Sequence, residues 1–235
     1  EQRTLYAGFA RWSEEAPCPS ERGAEVAYAR ALARRAVIEA TGFKPGPVHL
    51  NLPFREPLLP ATIDAPEFAA REGSSEFQAA NARMDPSQAG SLAGELRGLE
   101  RGVLLFGPDN WDSSLAAAVH ALSATLGWPI VADPASGLRA GPPIDNAVIH
   151  GADLLLRDPE VAAALRPDLI VRFGGQPTSA SIVAWMSRHP GADVWLVDPA
   201  NGFRDPQHRA SRWLRASPRQ FCELATSAAG ARECL

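Results

Sequence analysis

The sequence predicts an α/β fold: a Rossmann-like parallel sheet with helices on both faces, preceded by a shorter, partial α/β segment. Three observations carry this expectation: strand-length runs that are apolar throughout, helical periodicity between them, and cap or breaker residues at nearly every junction. Strands buried on both faces read as continuous apolar runs, because right-handed crossovers lay helices over both sides of a parallel sheet. At 235 residues the chain exceeds one typical domain and falls short of two.

From Glu21 to Ala40, Val26, Ala29, Ala33, Val37 and Ala40 recur at helical spacing, and Gly42 follows as a stop. Pro47 and Pro53 then bracket Val48–Leu52 as a buried strand. Between Glu56 and Met84 the apolar period decays into Pro57, Pro60 and Pro66 and a polar stretch, which reads as a linker. Asp85 as N-cap and Pro86 as first helical residue open a second domain ahead of Leu92, Leu96 and Leu99.

Beyond this point strands and helices alternate. Strands are expected at Val103–Phe106, Pro129–Ala132, Ala147–Ile149, Leu169–Phe173, Val194–Val197 and Trp213–Arg215. Helices are expected on Leu115, Val119, Leu122 and Leu126 up to a stop at Gly127, from Asp158-Pro159 to Leu165, from Ser179 to Arg188, and after Pro218. The divisions are therefore 1–60, a linker 61–84, a Rossmann-like domain 85–225 and a terminal stretch 226–235.

Composition excludes several classes of function. A net charge of -4 gives no basic footprint for nucleic acid. Apolar runs such as Val103–Phe106 are strand-sized, far below the ~20 residues of a membrane span, so no integral membrane segment is expected. Cys18, Cys222 and Cys234 are too scattered for a zinc site and too few for a disulfide framework, which favours a reducing, cytoplasmic setting. His49, His120, His150, His189 and His208 form no metal-ligand spacing, and no Gly-x-Ser-x-Gly elbow occurs. Trp128, Trp185 and Trp195 read as packing residues.

In a parallel α/β sheet, ligands gather at the carboxyl ends of the strands. Two turns qualify: Phe106-Gly-Pro-Asp-Asn-Trp-Asp-Ser-Ser114 and Arg172-Phe-Gly-Gly-Gln-Pro-Thr-Ser179. Neither is a GxGxxG fingerprint and neither carries a P-loop lysine. Asp112 reads as an N-cap rather than a general base beside Asp109; Thr178 and Ser179 read as caps, with a ligand-facing role as the sharper alternative. Arg172 lies inside a strand and faces either the sheet surface or the crevice. The residues alone give an α/β domain with a strand-end crevice.

The run Gly46-Pro-Val-His-Leu-Asn-Leu-Pro-Phe-Arg-Glu-Pro-Leu58 closely resembles a signature of the SEPHCHC synthase (MenD) family of thiamin diphosphate (ThDP) enzymes. Gln2–Trp12 is similar to the stretch that leads up to it. Gly127–Pro134, Pro167–Gly174, Pro177–Ser179 and Arg204–Pro206 fall, in order, where the family's middle domain has similar segments. The resemblance implies a homo-oligomeric parent, dimer or tetramer, that joins isochorismate to 2-oxoglutarate with loss of carbon dioxide, using ThDP and Mg2+ for the chemistry.

On that plan, residues 1–60 correspond to the end of the pyrimidine-binding domain and 85–225 to the middle domain. With no initiator Met and no Gly-Asp-Gly, the chain is expected to be a fragment that binds neither cofactor nor metal and is not catalytic alone. Where many relatives carry a basic side chain after Pro-Thr-Ser, this chain has Ala180 and Ser181. The substrate-facing candidates are then Ser179 and Ser181, with Arg172. The competing expectation is a stand-alone Rossmann-like module for a nucleotide or an anionic regulator.

Overall fold

The computed structural model describes residues 4–19, 24–42, 44–56, 58, 84–109, 111, 114–139, 148–200 and 202–230. The chain divides into two compact units, Glu1–Ala80 and Asn81–Leu235.

In the first unit β1 (Trp12–Glu15) and β2 (Val48–Asn51) pair in parallel, with Trp12 opposite Val48 and Glu15 opposite Asn51, and α1 (Ala24–Thr41) connects them. Sequence reasoning placed α1 and β2 but not β1. The Trp-Ser-Glu-Glu run has no apolar pattern, and the parallel ladder makes it a strand, continued by Arg11 N–H donating to the Pro47 carbonyl at 2.8 Å and Ala16 N–H to that of Asn51 at 2.9 Å. Both strands are only partly buried, and Leu5, Phe9, Leu52 and Phe54 are exposed. His49, read as a structural histidine, lies edge-on to Tyr6 with 5.0 Å between ring centroids.

The second unit holds a five-stranded, wholly parallel sheet in the order β4-β3-β5-β6-β7. Its strands are β3 (Gly102–Phe106), β4 (Ile130–Ala132), β5 (Leu169–Phe173), β6 (Asp193–Val197) and β7 (Arg212–Leu214). Within the apolar runs, alternate residues serve opposite layers, as the two-residue strand period requires. Leu104, Phe106, Leu169, Val171, Phe173, Trp195 and Val197 pack with α2 (Pro86–Arg97), α3 (Leu115–Leu126) and α7 (Pro218–Gly230). Leu105, Val131, Ile170 and Val194 pack with α4 (Ala152–Leu155), α5 (Pro159–Ala164) and α6 (Ala180–Arg188). The result is three layers, helices over both faces, as the apolar runs predicted.

Three of the helix signals work as read, whereas the cap position of α3 is Ser114 rather than Asp112, and Thr178 bonds to Asp133 instead of capping α6. Asp85 accepts from Ser87 N–H at 2.8 Å with Pro86 in the first turn of α2, and Gly127 takes φ +69° to end α3. Asp158 caps α5 by accepting from Glu160 N–H at 2.8 Å and Val161 N–H at 3.3 Å. The strand expected at Ala147–Ile149 reduces to a single bridge from Val148 to Ile130, and Ala147 lies outside the described residues. β7 sits one residue earlier than expected. α4 was missed because four residues are too few to show a helical period. No described helix is long and apolar enough to cross a membrane.

Cys222 of α7 lies wholly inside the first layer, where burial, reinforced by Glu223, pushes its thiol far above the ordinary range. Maleimide labelling of the native chain followed by peptide mass mapping is therefore expected to modify Cys18, which is partly exposed, and to spare Cys222 until denaturant is added.

Candidate functional site

The connections fix where a crevice belongs. β4 lies on one side of β3 and β5 on the other, so the chain reverses direction across the sheet between β3 and β5, and the turns leaving their carboxyl ends form the switch point. These are the two turns that the sequence singles out.

They close on each other. Gly107 N–H donates to the Phe173 carbonyl at 2.9 Å, and Gly175 N–H donates to the Pro108 carbonyl at 3.0 Å. A methyl group on Gly107 would lie 1.8 Å from the Gly175 oxygen, so the two turns are in direct backbone contact. Phe106 stacks on Phe173 beneath the turns (4.3 Å, 8°), and Trp111 meets Phe106 edge-on (6.3 Å, 85°) while lying against Gly174. Asp109, read with Asp112 as a potential carboxylate pair, forms an ion pair with Arg204. Asp112 lies outside the described residues.

The amino end of α6 is likewise occupied by the chain's own carboxylates. Asp133, wholly buried at the end of β4, accepts from Thr178 N–H at 2.7 Å, Thr178 Oγ1 at 2.8 Å and Ala135 N–H at 2.9 Å. Ser179 caps α6, accepting from Ile182 N–H at 3.3 Å, and its hydroxyl donates to Asp153. Asp153 also takes an ion pair from Arg157 at 2.8 Å and a hydrogen bond from Ser181. The Ser179 hydroxyl, helped by Arg157, holds the Asp153 carboxyl below its ordinary value of 3.8. A carboxylate with a depressed folded value contributes stability above its unfolded value and loses that contribution as pH falls through the folded one. Carbon-detected NMR titration should therefore show Asp153 ionising below 3.8, and Ser179→Ala should move it upward toward that value.

Arg172 resolves the alternative left open by sequence. It is fully buried on the α4–α6 side of β5 and does not reach the crevice surface. Its guanidinium contacts Asp205 at 3.4 Å and donates to the Arg204 carbonyl, while Nε is buried without a hydrogen-bond partner. Burial pulls this group below its ordinary value, and Asp205 opposes that pull. Asp205 also accepts from Ala210 N–H at 2.7 Å, and Asp198 accepts from Ala200 N–H at 3.0 Å and Gly202 N–H at 2.7 Å. Arg172, Asp198 and Asp205 together pin the β6–β7 connection, including Phe203 and His208, which hold positive φ of 48° and 52°.

Sequence reasoning missed Asp133, Asp153, Asp198 and Asp205. A signal for two of them exists: Asp-Pro recurs at 85, 133, 158, 198 and 205, and at the first four the carboxylate accepts from the backbone two residues on, whereas Asp205 accepts from Ala210, five residues on.

Among the described residues no group of three or more His, Cys, Asp or Glu could hold a metal ion. The strand-end carboxylates are engaged by the chain's own donors. A diphosphate–Mg2+ group therefore does not fit the described residues.

The second unit is thus a parallel, three-layer α/β domain whose switch-point turns bond to each other. Residues 95–232 match the family model described as "Middle domain of thiamine pyrophosphate", and the chain belongs to that ThDP-enzyme middle-domain family. It is 33% identical over 97% of its length to a 2-succinyl-5-enolpyruvyl-6-hydroxy-3-cyclohexene-1-carboxylate synthase of Bacillus velezensis, and 34% identical over 94% to that of Geobacillus thermodenitrificans. It spans 39% and 38% of those two relatives' lengths. Among solved structures, a ThDP-dependent 4-hydroxybenzoylformate decarboxylase of Rhodococcus jostii RHA1 is similar over 96% of this chain and 40% of its own, with a TM-score of 0.54 and 18% identity, a likeness of fold.

Proposed function

We propose that these 235 residues are part of a longer, cytoplasmic, homo-oligomeric ThDP-dependent synthase that condenses isochorismate with 2-oxoglutarate, with decarboxylation, to give SEPHCHC for menaquinone biosynthesis. The observation that carries this reading is continuous similarity to SEPHCHC synthases over 97% of the chain, across both units. Residues 1–60 are assigned to the end of the pyrimidine-binding domain, 61–84 to a linker, 85–225 to the middle domain and 226–235 to the start of the next connection. ThDP, when bound, supplies the carbanion chemistry; the cofactor and its Mg2+ are assigned to parts of the parent beyond these residues, and this stretch alone does not turn over substrate.

The middle domain then works by position. Ser179 and Ser181 are its substrate-side candidates. The Asp153 carboxylate beside them opposes a second carboxylate, so their contact is assigned to a hydrogen-bonding hydroxyl of the substrate. Arg172 acts behind them as a positioning residue, through Asp205 and the Arg204 carbonyl. The closed switch point weighs against the competing reading of a nucleotide or anion-binding module.

The test is an assay of the longer protein and of the 235-residue chain with isochorismate, 2-oxoglutarate, ThDP and Mg2+, following carbon dioxide and product by mass. Product from the longer protein only is expected. No product from the longer protein would refute the family activity, and turnover by the 235-residue chain would refute the division of labour.

A further inference from the structure

The two faces of the large sheet are covered unequally. One carries helices of 12, 12 and 13 residues; the other carries α4, α5 and α6, of 4, 6 and 9 residues. The short helices leave a cavity of about 280 Å³ at the amino ends of β3, β4 and β5, the end opposite the closed crevice. Its walls are Val103, Val131, Ile149, Leu156, Leu165 and Trp185.

The chemistry of the walls selects the occupant. Trp185 Nε1 is spent on the Leu165 carbonyl at 2.8 Å, leaving its indole ring as carbon surface. At the rim, Arg101 is engaged by Asp168 through two contacts of 3.1 and 2.5 Å, and Arg166 Nε donates to the Ala163 carbonyl at 3.0 Å. The rim cations thus have partners of their own, and no buried charge calls for an ionic ligand. An apolar cavity of about 150 Å³ accepts a benzene-sized guest, so a space nearly twice as large suits two fused rings. Leu155, on the wall and nearly half exposed, keeps the mouth open to such a guest.

We propose that this cavity is a binding site for a small, uncharged, planar apolar molecule of about two fused rings, separate from the strand-end crevice and independent of the activity assigned above. Indole is the probe. Titrated into the isotope-labelled 235-residue chain, it is expected to shift the Trp185 Nε1 resonance and the Leu156 and Leu165 methyl signals saturably, while indole-3-carboxylate binds roughly tenfold more weakly or worse. Ala164→Trp, at an exposed lining position, is expected to fill the mouth and weaken indole at least about tenfold. Leu155→Trp provides the same block should that variant not fold.

Saturable shifts at these residues, lost in a folded blocking variant, support the site. No saturable shift, shifts confined to exposed leucines such as Leu154, or binding unaffected by the block would overturn it. Equal or tighter binding of the carboxylate would overturn the assignment to an uncharged ligand.

Discussion

Asp205→Ala is expected to destabilise the second unit by about 3–5 kcal/mol. Removal of this carboxylate leaves the Arg172 guanidinium inside the protein with no counter-charge, and also strips the acceptor from Ala210 N–H. Chemical denaturation monitored by tryptophan fluorescence gives the value directly. A double replacement, Arg172→Met with Asp205→Leu, separates the cost of an orphaned charge from the worth of the pair. The existing contact is long at 3.4 Å and leaves Arg172 Nε unpartnered, so the double variant should recover most of the lost stability. Its expected defect is elsewhere: looser backbone at 198–210, seen as faster amide exchange, because the pair's contribution is to a particular loop conformation.

Gly107→Ala is expected to cost about 3 kcal/mol, near the upper end for overpacking. The added methyl would stand 1.8 Å from a backbone oxygen of Gly175, which cannot rotate away as a side chain can. Relief requires the turns after β3 and β5 to part, breaking the Gly175 N–H to Pro108 carbonyl bond and unseating Trp111 from Gly174. By contrast, Gly151→Ala, where an added methyl meets nothing within 4 Å, is expected to leave stability almost unchanged. Thermal unfolding of the two variants side by side checks the difference.

Much of this fold is legible in the sequence because buried parallel strands advertise themselves. Leu169–Phe173, apart from Arg172, and Val194–Val197 are apolar on both faces, and Asp85-Pro86, Asp158-Pro159 and Gly127 punctuate helices by local chemistry that needs no tertiary context. β1 was not legible, since Ser13 and Glu14 become strand residues only by pairing with His49 and Leu50.

The site was legible only as a place. Sequence located both turns at the switch point, but their closure depends on Gly107 meeting Gly175 across 68 positions of chain, a contact that no local pattern encodes. The carboxylates were passed over for a different reason. Asp133, Asp153, Asp198 and Asp205 bond to backbone amides and side-chain donors two to 45 residues away, and no catalytic-pair spacing marks such partners. Arg172, a substrate-facing candidate by sequence, is instead buried against Asp205, which lies 33 residues on in a loop without periodicity, so no local pattern shows which way it faces.

In the middle domain the switch-point turns meet through Gly107 and Gly175, and the amino end of α6 is engaged by Asp133 and Asp153. Isothermal titration of the chain with NAD, extended to FAD and inorganic phosphate, tests this arrangement most directly. No saturable heat is expected with any of the three. Saturable NAD binding that Gly107→Ala or Ser179→Ala abolishes would contradict it, because it would place a ligand where the structure has the Gly107–Gly175 contact and Asp153.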